Sequence, residues 1–212
     1  MKNLAPLLVL LFLISGCSSS KLVNDWKSPE TVNFEANKVL VIGMAQDTEL
    51  RRQFEEELTS ELEKNDVVAV RSIDFFEHSF TDELKTEDEL NNIEGQLLDA
   101  GFDAILFSKV IGSEDKVTTV QAVRDLADSF QTFKEDYYRS QDMYQSKNDF
   151  EYYKLYHAET NLYCICPGKE RELLWSGNID IVENQNRARS VRDYVKTLVN
   201  ALQSKQLLIV NL

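Results

Sequence analysis

The chain has 212 residues, of which 43% are hydrophobic and 28% charged, so it is long enough for one folded domain with a proper core. Its net charge of -13 argues against nucleic-acid binding, because phosphate backbones are held by Lys and Arg. Three cysteines are too few for a disulfide scaffold, and 7 Gly with 3 Pro exclude a collagen-like or low-complexity chain.

Residues 1–16 have the pattern of a signal peptide. A short basic start precedes an apolar run over residues 4–14, which is shorter than the roughly 20 residues that a membrane-spanning helix needs. The run leads into Ile14-Ser15-Gly16-Cys17, which resembles the lipobox of bacterial lipoproteins, although that pattern usually has Leu in place of Ile14. The resemblance implies cleavage after Gly16 and acylation of Cys17. An ordinary secretory signal with a chance cysteine is the alternative.

The residues after Cys17 bear on location. We expect residues 17–25 to form the lipidated start and a tether, with a flexible run of three serines, and residues 26–212 to form a single α/β envelope domain. Ser18, rather than Asp, resembles the sorting pattern of lipoproteins sent to the outer membrane. No acidic run follows, which favours the periplasmic face. The sequence therefore predicts a protein held on the lipid bilayer by acylated Cys17 at the periplasmic face of the outer membrane.

The first half of the domain alternates strands and helices. Residues 38–43 form a continuous apolar run that is typical of a strand buried on both faces. Asp47 is placed to cap a helix whose apolar residues recur every four positions, and residues 86–89 form a capping box before a second helix. Short strands over 67–70 and 104–107 complete a β-α-β-α-β order, which implies parallel pairing.

The second half has the alternating pattern of antiparallel strands. The alternation covers residues 116–123, 152–166 and 172–182, with a turn at Pro167-Gly168 between the last two. One face of the last strand is predicted to comprise Leu173, Trp175, Gly177, Ile179 and Ile181. A C-terminal helix with an apolar stripe follows, and residues 207–210 are expected to form a closing strand. The predicted fold class is α/β, as a single layered domain with a mixed sheet.

Charge is unevenly distributed along the chain. Residues 47–103 hold 18 Asp and Glu against 5 Lys and Arg, whereas the remainder is balanced. The acidic part could bind a basic partner or repel anionic headgroups and orient the domain on its tether, with solubility alone as the alternative. The last helix begins with a basic cluster, which opposes the helix dipole and could be neutralised by the acidic face or a partner. The cluster comprises Arg187, Arg189, Arg192 and Lys196.

Motifs for catalysis, metals and cofactors are not found. The chain lacks a P-loop, a Rossmann glycine triplet and a Gly-x-Ser-x-Gly elbow. His78 and His157 share no metal-ligand spacing. The loop over residues 43–47 leads into a helix N-terminus, where anions bind, but Asp47 and Glu49 would repel them. We therefore expect no enzyme, no catalytic residue, no cofactor and no metal site.

Two cysteines lie close together in a predicted strand. Cys164 and Cys166 point the same way with their Cα atoms about 6.6 Å apart, near the upper limit for a disulfide. An oxidising compartment favours pairing while this geometry opposes it. Two buried thiols, a strained disulfide, and a redox or metal site are the alternatives, of which the sequence favours buried thiols.

Residues 121–160 hold nine aromatic side chains. This segment is either an insertion packed on the sheet or a recognition surface, because aromatic residues are enriched at interface cores. Within residues 130–156 the rings alternate with charges, as in a wet interface. We name Tyr137, Tyr138 and Tyr144 as the candidate partner surface, for a protein of the cell envelope.

Three further motifs carry a family resemblance. Trp26-Lys27-Ser28-Pro29, Gly101-Phe102-Asp103-Ala104-Ile105 and Leu173-Leu174-Trp175-Ser176-Gly177, after a lipobox, resemble small bacterial envelope lipoproteins of uncharacterised function. The outline is similar to the amino-terminal module of TolB and to CsgG-type envelope proteins. The resemblance implies that these motifs are structural and that they identify no catalytic residues. Some relatives carry a cardiolipin-synthase label, but this chain lacks the paired His-x-Lys motifs that such an enzyme would need. The sequence predicts a non-enzymatic binding or scaffolding module. The alternative is a small-ligand carrier or enzyme using a cleft near the strand ends, including the Cys164 and Cys166 site.

Overall fold

A computed structural model describes residues 18–45, 47–76, 86–119, 150–165, 172–183 and 186–209. Within these residues, six strands form one mixed sheet in the order β1-β6-β5-β4-β2-β3. The strands are β1 (Ser20–Lys27), β2 (Val39–Met44), β3 (Ala69–Arg71), β4 (Ala104–Thr119), β5 (Phe150–Cys164) and β6 (Glu172–Val182). β2 is parallel to β3 and β4, and the other neighbours are antiparallel. The predicted α/β class with a mixed sheet is confirmed.

Helices cover both faces of the sheet. They are α1 (Thr48–Glu63), α2 (Ser72–Phe75), α3 (Glu87–Asp99) and α4 (Arg187–Ser204). α1 and α4 pack over the larger core on one face, while α3 contributes Leu97 to a smaller core on the other. β2 separates the two cores, because its alternate side chains enter one or the other and its first five residues are buried. None of the helices in the described part of the chain is long and apolar enough to span a bilayer.

Local signals place the helix ends where the sequence predicts them. The Asp47 side chain accepts hydrogen bonds from the amides of Glu49 and Leu50 at the start of α1. Thr86 and Glu89 form the predicted capping box at the start of α3. Gly101, with φ at 81°, follows the end of α3 in the left-handed conformation that favours glycine. These contacts involve neighbours in sequence, so a single sequence predicts them well.

β1 occupies part of the segment predicted to be a tether. The strand begins at Ser20, which pairs with Ile181, and runs antiparallel to β6 at the edge of the sheet. The tether predicted over residues 17–25 is therefore shorter in the structure, because the sheet starts at Ser20. The sequence SKLVNDWK is mostly polar and lacks the apolar pattern from which a strand is predicted. An edge strand can be this polar because it buries little apolar surface.

β4 is much longer than the strand predicted over residues 104–107. It continues without a break into residues 116–119, where the sequence predicts the start of a separate strand over residues 116–123. A bulge interrupts its pairing with β5 between Val110 and Gly112. Its pairing with β2 ends at Lys109. Residues 115–119 pair with residues 150–154 of β5 beyond the last pairs made by β2 and β6, and we call this two-stranded extension the β4–β5 arm.

The predicted faces of β6 are correct from Trp175 onward and wrong before it. The register with β5 shifts by one residue, so that Leu162 is opposite Trp175 and Tyr163 is opposite Leu173. Leu174 is the extra residue of this bulge and is buried at 4% exposure, whereas Leu173 is only partly buried. A bulge interrupts the two-residue period, which alternation alone does not reveal.

The closing strand predicted over residues 207–210 is also wrong. Leu207 makes one isolated parallel bridge with Phe34, and Leu208 has a φ of 63° that does not continue a strand. Leu207, Leu208 and Ile209 are buried in the larger core. Their apolar run therefore reflects core packing rather than pairing in the sheet. Val210 lies outside the described residues.

Candidate functional site

A cavity of about 590 Å³ lies on the α1 and α4 face of the sheet. It opens where β2 leads into α1 and where β6 leads into α4. β2 and β6 run in the same direction, so their carboxyl ends and the two helix N-termini meet at one edge. Ligands of open α/β sheets bind outside the carboxyl ends of the strands, and this is therefore the candidate site.

The walls of the cavity are mainly apolar and its rim is unusually exposed. Phe54 and Val191 line it from the helices, and Ile181 lines it from β6. At the rim, Val110 is 48% exposed and Ile111 is 53% exposed. Large apolar side chains grouped at a cavity mouth are typical of interaction surfaces and ligand-binding grooves.

A buried ion pair holds the base of the cavity. Arg51 lines the cavity at 2% exposure, and its Nε lies 3.0 Å from Oε1 of the fully buried Glu55. Glu55 also accepts hydrogen bonds from the Gly43 amide at 2.9 Å, the Ser72 hydroxyl at 2.7 Å and the Ile73 amide at 3.0 Å. The carboxylate thereby joins the end of β2 to α1 and α2. The sequence predicts an acidic face over residues 47–103, and Glu55 lies within that range but is buried instead of contributing to a surface.

A hydroxyl network forms the inner wall. The Tyr194 hydroxyl shares a hydrogen bond with Thr160, whose hydroxyl lies 2.8 Å from that of Ser108. Burial raises the pKa of the Tyr194 phenol, and the hydrogen bonds with Thr160 and Ser108 oppose this only in part. The phenol is therefore neutral at physiological pH. It positions α4 against the sheet and presents its ring to Phe54 at a centroid distance of 5.5 Å.

The mouth of the cavity carries an ion pair between the two helix N-termini. Arg187 Nη1 lies 3.1 Å from Oδ2 of Asp47, so part of the basic cluster is neutralised by the acidic segment, one of the two outcomes that the sequence left open. Both groups are largely exposed, and the pair contributes little to stability. Arg189, Arg192 and Lys196 are exposed and form no salt bridge among the described residues, although the charges of Arg189 and Arg192 act on the Asp193 carboxylate.

Several sequence-predicted site residues cannot be placed at the cavity. The candidates that lie outside the described residues are Cys17, Tyr137, Tyr138, Tyr144 and Cys166. His78, for which the sequence predicts no metal role, also lies outside them. His157 lies on β5 with Nδ1 2.7 Å from Asp180 and Nε2 3.5 Å from Glu114. In the described ranges no three His, Cys, Asp or Glu side chains are grouped to hold a metal ion.

Cys164 differs from the expectation of a buried free thiol. It is buried at 3% exposure, as predicted, but it is disulfide-bonded. Its partner lies outside the described residues. Cys164 pairs with Ala104 at the start of β4, about 17 Å along the strand from the Lys109 end where the cavity opens. The cysteine site and the cleft at the strand ends are therefore separate, which corrects their combination in the sequence interpretation.

A cleft near the strand ends is the alternative site that the sequence predicts, but the residues that line the cavity are not identified from the sequence. The loop over residues 43–47 was considered only as an anion site and set aside because of Asp47 and Glu49. The structure shows that this loop borders an apolar cavity, and that Asp47 binds backbone amides and Arg187. The one available signal was the spacing of Arg51 and Glu55 beside the apolar stripe of α1, which is compatible with a buried pair.

Comparison with protein-family models and with curated proteins yields no match. Among solved structures, the chain is similar to the PelC dodecamer from Paraburkholderia phytofirmans, with 11% identity, a TM-score of 0.45, and coverage of 89% of this chain and 98% of that chain. Lipoprotein GNA1162 from Neisseria meningitidis has 16% identity and a TM-score of 0.40, with coverage of 78% and 94%. Identities and TM-scores this low do not identify a function.

Proposed function

We propose that this chain is a lipoprotein anchored by Cys17 at the periplasmic face of the outer membrane, where it acts as a non-enzymatic binding module. The observation that carries the binding role is the cavity of about 590 Å³ with apolar walls and an exposed apolar rim. The location is supported by the lipobox resemblance at residues 14–17 and by the serine that follows it.

The charged groups at the cavity support binding rather than catalysis. Arg51 is paired with Glu55 in the core, and Asp47 caps α1 while pairing with Arg187. Tyr194 is protonated and hydrogen-bonded to Thr160. Each of these groups therefore has a structural partner, whereas a catalytic acid or base needs to reach the substrate.

The partner we propose is another envelope protein that inserts apolar side chains into the cavity. The exposed rim at Met44, Val110 and Ile111 extends the apolar surface beyond the cavity itself. The β4–β5 arm projects from the same edge of the sheet, so a partner at the cavity would also meet the arm. A surface of this extent suits a protein, since hot spots are apolar anchors in pockets.

The second candidate is a small-ligand carrier, which the concave shape of the cavity favours. A volume of about 590 Å³ lies within the range of small-molecule sites. Such a ligand would be predominantly apolar, because apolar side chains form most of the cavity wall.

A matched pair of variants on β6 tests the cavity. Ile181 lines the cavity, whereas Val182 is the next residue on the strand and is not part of the lining. Ile181→Trp should fill the cavity and abolish recovery of the partner by a tagged chain in the native envelope, while Val182→Trp should preserve it. Equal recovery with both variants would contradict the proposed site. The binding of a fluorescent naphthylamine probe tests the small-ligand carrier. If the wild type and Val182→Trp bind the probe, Ile181→Trp does not, and no protein partner is recovered, the carrier is favoured.

The anchor is tested independently. The intact mass of the mature wild-type protein should show acyl chains on Cys17, and the protein should fractionate with the outer membrane. Cys17→Ala should leave an unprocessed or soluble form, because acyl chains supply the attachment. An unmodified Cys17 thiol in the wild type would overturn the lipoprotein assignment.

A further inference from the structure

We propose that Arg189, Arg192 and Lys196 form a membrane-facing surface that binds the anionic phospholipid headgroups of the bilayer in which Cys17 is anchored. The surface orients the domain so that the cavity edge stays close to the bilayer. This inference rests on the proposed lipid anchor and adds a defined orientation to it.

The first step is the position of Ser19. Its amide and its hydroxyl donate hydrogen bonds to Oδ2 of Asp193 on α4, at 2.9 and 2.7 Å, and its carbonyl accepts one from the Val182 amide at 2.8 Å. Ser19 is thus held against the second turn of α4 and the end of β6. Two peptide units separate Cys17 from Ser19, so their Cα atoms are at most about 7 Å apart. Acyl chains on Cys17 would therefore bring the bilayer to this part of the domain.

The second step is the charge beside that point. Arg189, Arg192 and Lys196 recur at intervals of three and four residues, so they share one exposed face of α4. Asp193, which holds Ser19, lies next to Arg192 in sequence. The basic stripe, as we call these three residues, forms no salt bridge among the described residues, although Arg189 and Arg192 interact electrostatically with the Asp193 carboxylate. Two of its members lie in the first turns of a helix, where positive charge is unfavourable. An anionic surface would relieve that cost.

The third step is the contrast with the remainder of the molecule. The net charge of -13 repels anionic lipids, so a general electrostatic attraction does not explain the stripe. The exposed face of α1 carries Glu49 and Glu56 paired with Arg52, and it would turn away from the membrane. Anionic headgroups would attract the basic stripe and repel the acidic helices, so the two effects together select one orientation of the domain on the bilayer. Each Lys or Arg near an anionic bilayer strengthens binding on the order of fivefold.

The test uses the full acylated protein in vesicles of phosphatidylethanolamine and phosphatidylglycerol that contain a phosphatidylcholine with a nitroxide on its headgroup. In a Trp26→Phe background, a tryptophan is introduced either by Ala188→Trp, in the exposed first turn of α4, or by Val68→Trp, at the amino end of β3 where the side chain is 54% exposed. We expect several-fold stronger quenching for Ala188→Trp than for Val68→Trp. Replacing phosphatidylglycerol with a zwitterionic lipid, or adding salt, should reduce the difference.

The decisive variant replaces Arg189, Arg192 and Lys196 with Gln. It should remove the preferential quenching at position 188 while the protein still floats with vesicles through its acyl chains. The control replaces Arg52, Lys64 and Arg71 with Gln, which changes the net charge equally and should preserve the preference. Equal quenching at both positions, or no difference between the two triple variants, would overturn the inference. An unacylated Cys17 with no vesicle flotation would instead overturn the proposed anchor.

Discussion

At the scale of single residues, the buried carboxylate of Glu55 has the largest structural role near the candidate site. It is fully buried and accepts hydrogen bonds from four groups on three different elements. A buried charge is tolerated only when it is paired and hydrogen-bonded, and Arg51 supplies the pairing. The same residue type on the surface, as in Glu49, contributes little despite a pKa lowered to about 2 mainly by its hydrogen bonds with Arg52 and Gln53.

Glu55→Gln should therefore destabilise the protein by roughly 3–5 kcal/mol, because it leaves the buried Arg51 guanidinium without its carboxylate. Urea denaturation followed by circular dichroism measures the loss. Arg52→Ala is the matched control, since it breaks two exposed ion pairs and should cost about 0–1 kcal/mol. Similar losses for the two variants would show that the Arg51 and Glu55 pair is not buried in solution.

Gly177 is needed for a packing reason. A Cβ at this position would overlap the indole ring of Trp175, which is fully buried two residues earlier on the same face of β6. Gly177→Ala should cost roughly 1–3 kcal/mol in thermal or urea unfolding, because the ring cannot move without disturbing the core. Gly112→Ala is the control, since its nearest neighbour would be His157 Cδ2 at 3.8 Å. A neutral Gly177→Ala would contradict this packing.

At the scale of elements, β1 depends on contacts at both of its ends. Near its start, Asp193 accepts hydrogen bonds from Ser19. Near its end, Asp25 lies 2.7 Å from Lys205 and accepts a hydrogen bond from the Trp175 indole at 3.1 Å. These carboxylates join the edge strand to α4 and β6, and they compensate for the small apolar surface that β1 itself buries.

The protection of β1 should depend on pH. Burial tends to raise the pKa of Asp25 and of Asp193, but the hydrogen bonds and charges of their partners outweigh it and hold each pKa below the usual 3.8. A carboxylate with a lowered pKa in the folded state adds stability that is complete above the unfolded value and is lost as the pH falls through the folded one. Both contacts should thus be intact at neutral pH and weaken below about pH 4.

Hydrogen exchange, corrected for intrinsic rates, should show that β1 loses more protection than β2 between neutral pH and about pH 3. The double variant Asp25→Asn and Asp193→Asn should have weaker β1 protection at neutral pH and a flatter pH profile. A β1 whose protection changes no more than that of β2 would contradict the role of the two carboxylates.

At the scale of the whole molecule, the binding features gather at one edge. The cavity, the β4–β5 arm and the fixed position of Ser19 all lie at the carboxyl ends of β2 and β6. The disulfide-bonded Cys164 lies at the opposite edge, where it pairs with Ala104 at the start of β4. This polarity suits the binding role that we propose, because a partner at the cavity would also meet the arm.

Tyr137, Tyr138 and Tyr144 lie outside the described residues and stay a predicted partner surface. If Tyr137, Tyr138 and Tyr144 contact a partner, replacing all three with Ser should leave the unfolding midpoint almost unchanged and abolish partner recovery. If the rings belong to the core instead, each truncation should cost roughly 3–5 kcal/mol, and the triple variant would not fold. A denaturation midpoint measured before any partner is known separates these outcomes.

Features that depend on neighbouring residues can be predicted from the amino-acid sequence alone. The cap at Asp47, the capping box at Thr86 and the buried strand β2 are all predicted, because capping and apolar periodicity act within a few residues. The order of these elements then implied the parallel pairing that the structure shows.

Features that need partners far away in the sequence depend on how the chain folds. β1 is a strand because β6 supplies its hydrogen bonds, and Leu174 is buried because a register shift against β5 turns it inward. Glu55 is an interior group because the backbone of Gly43 and Ile73 meets it from other elements. The cavity exists because two helix N-termini and two strand ends converge from separate parts of the chain. Such convergence depends on packing between segments far apart in sequence, and no local pattern encodes it.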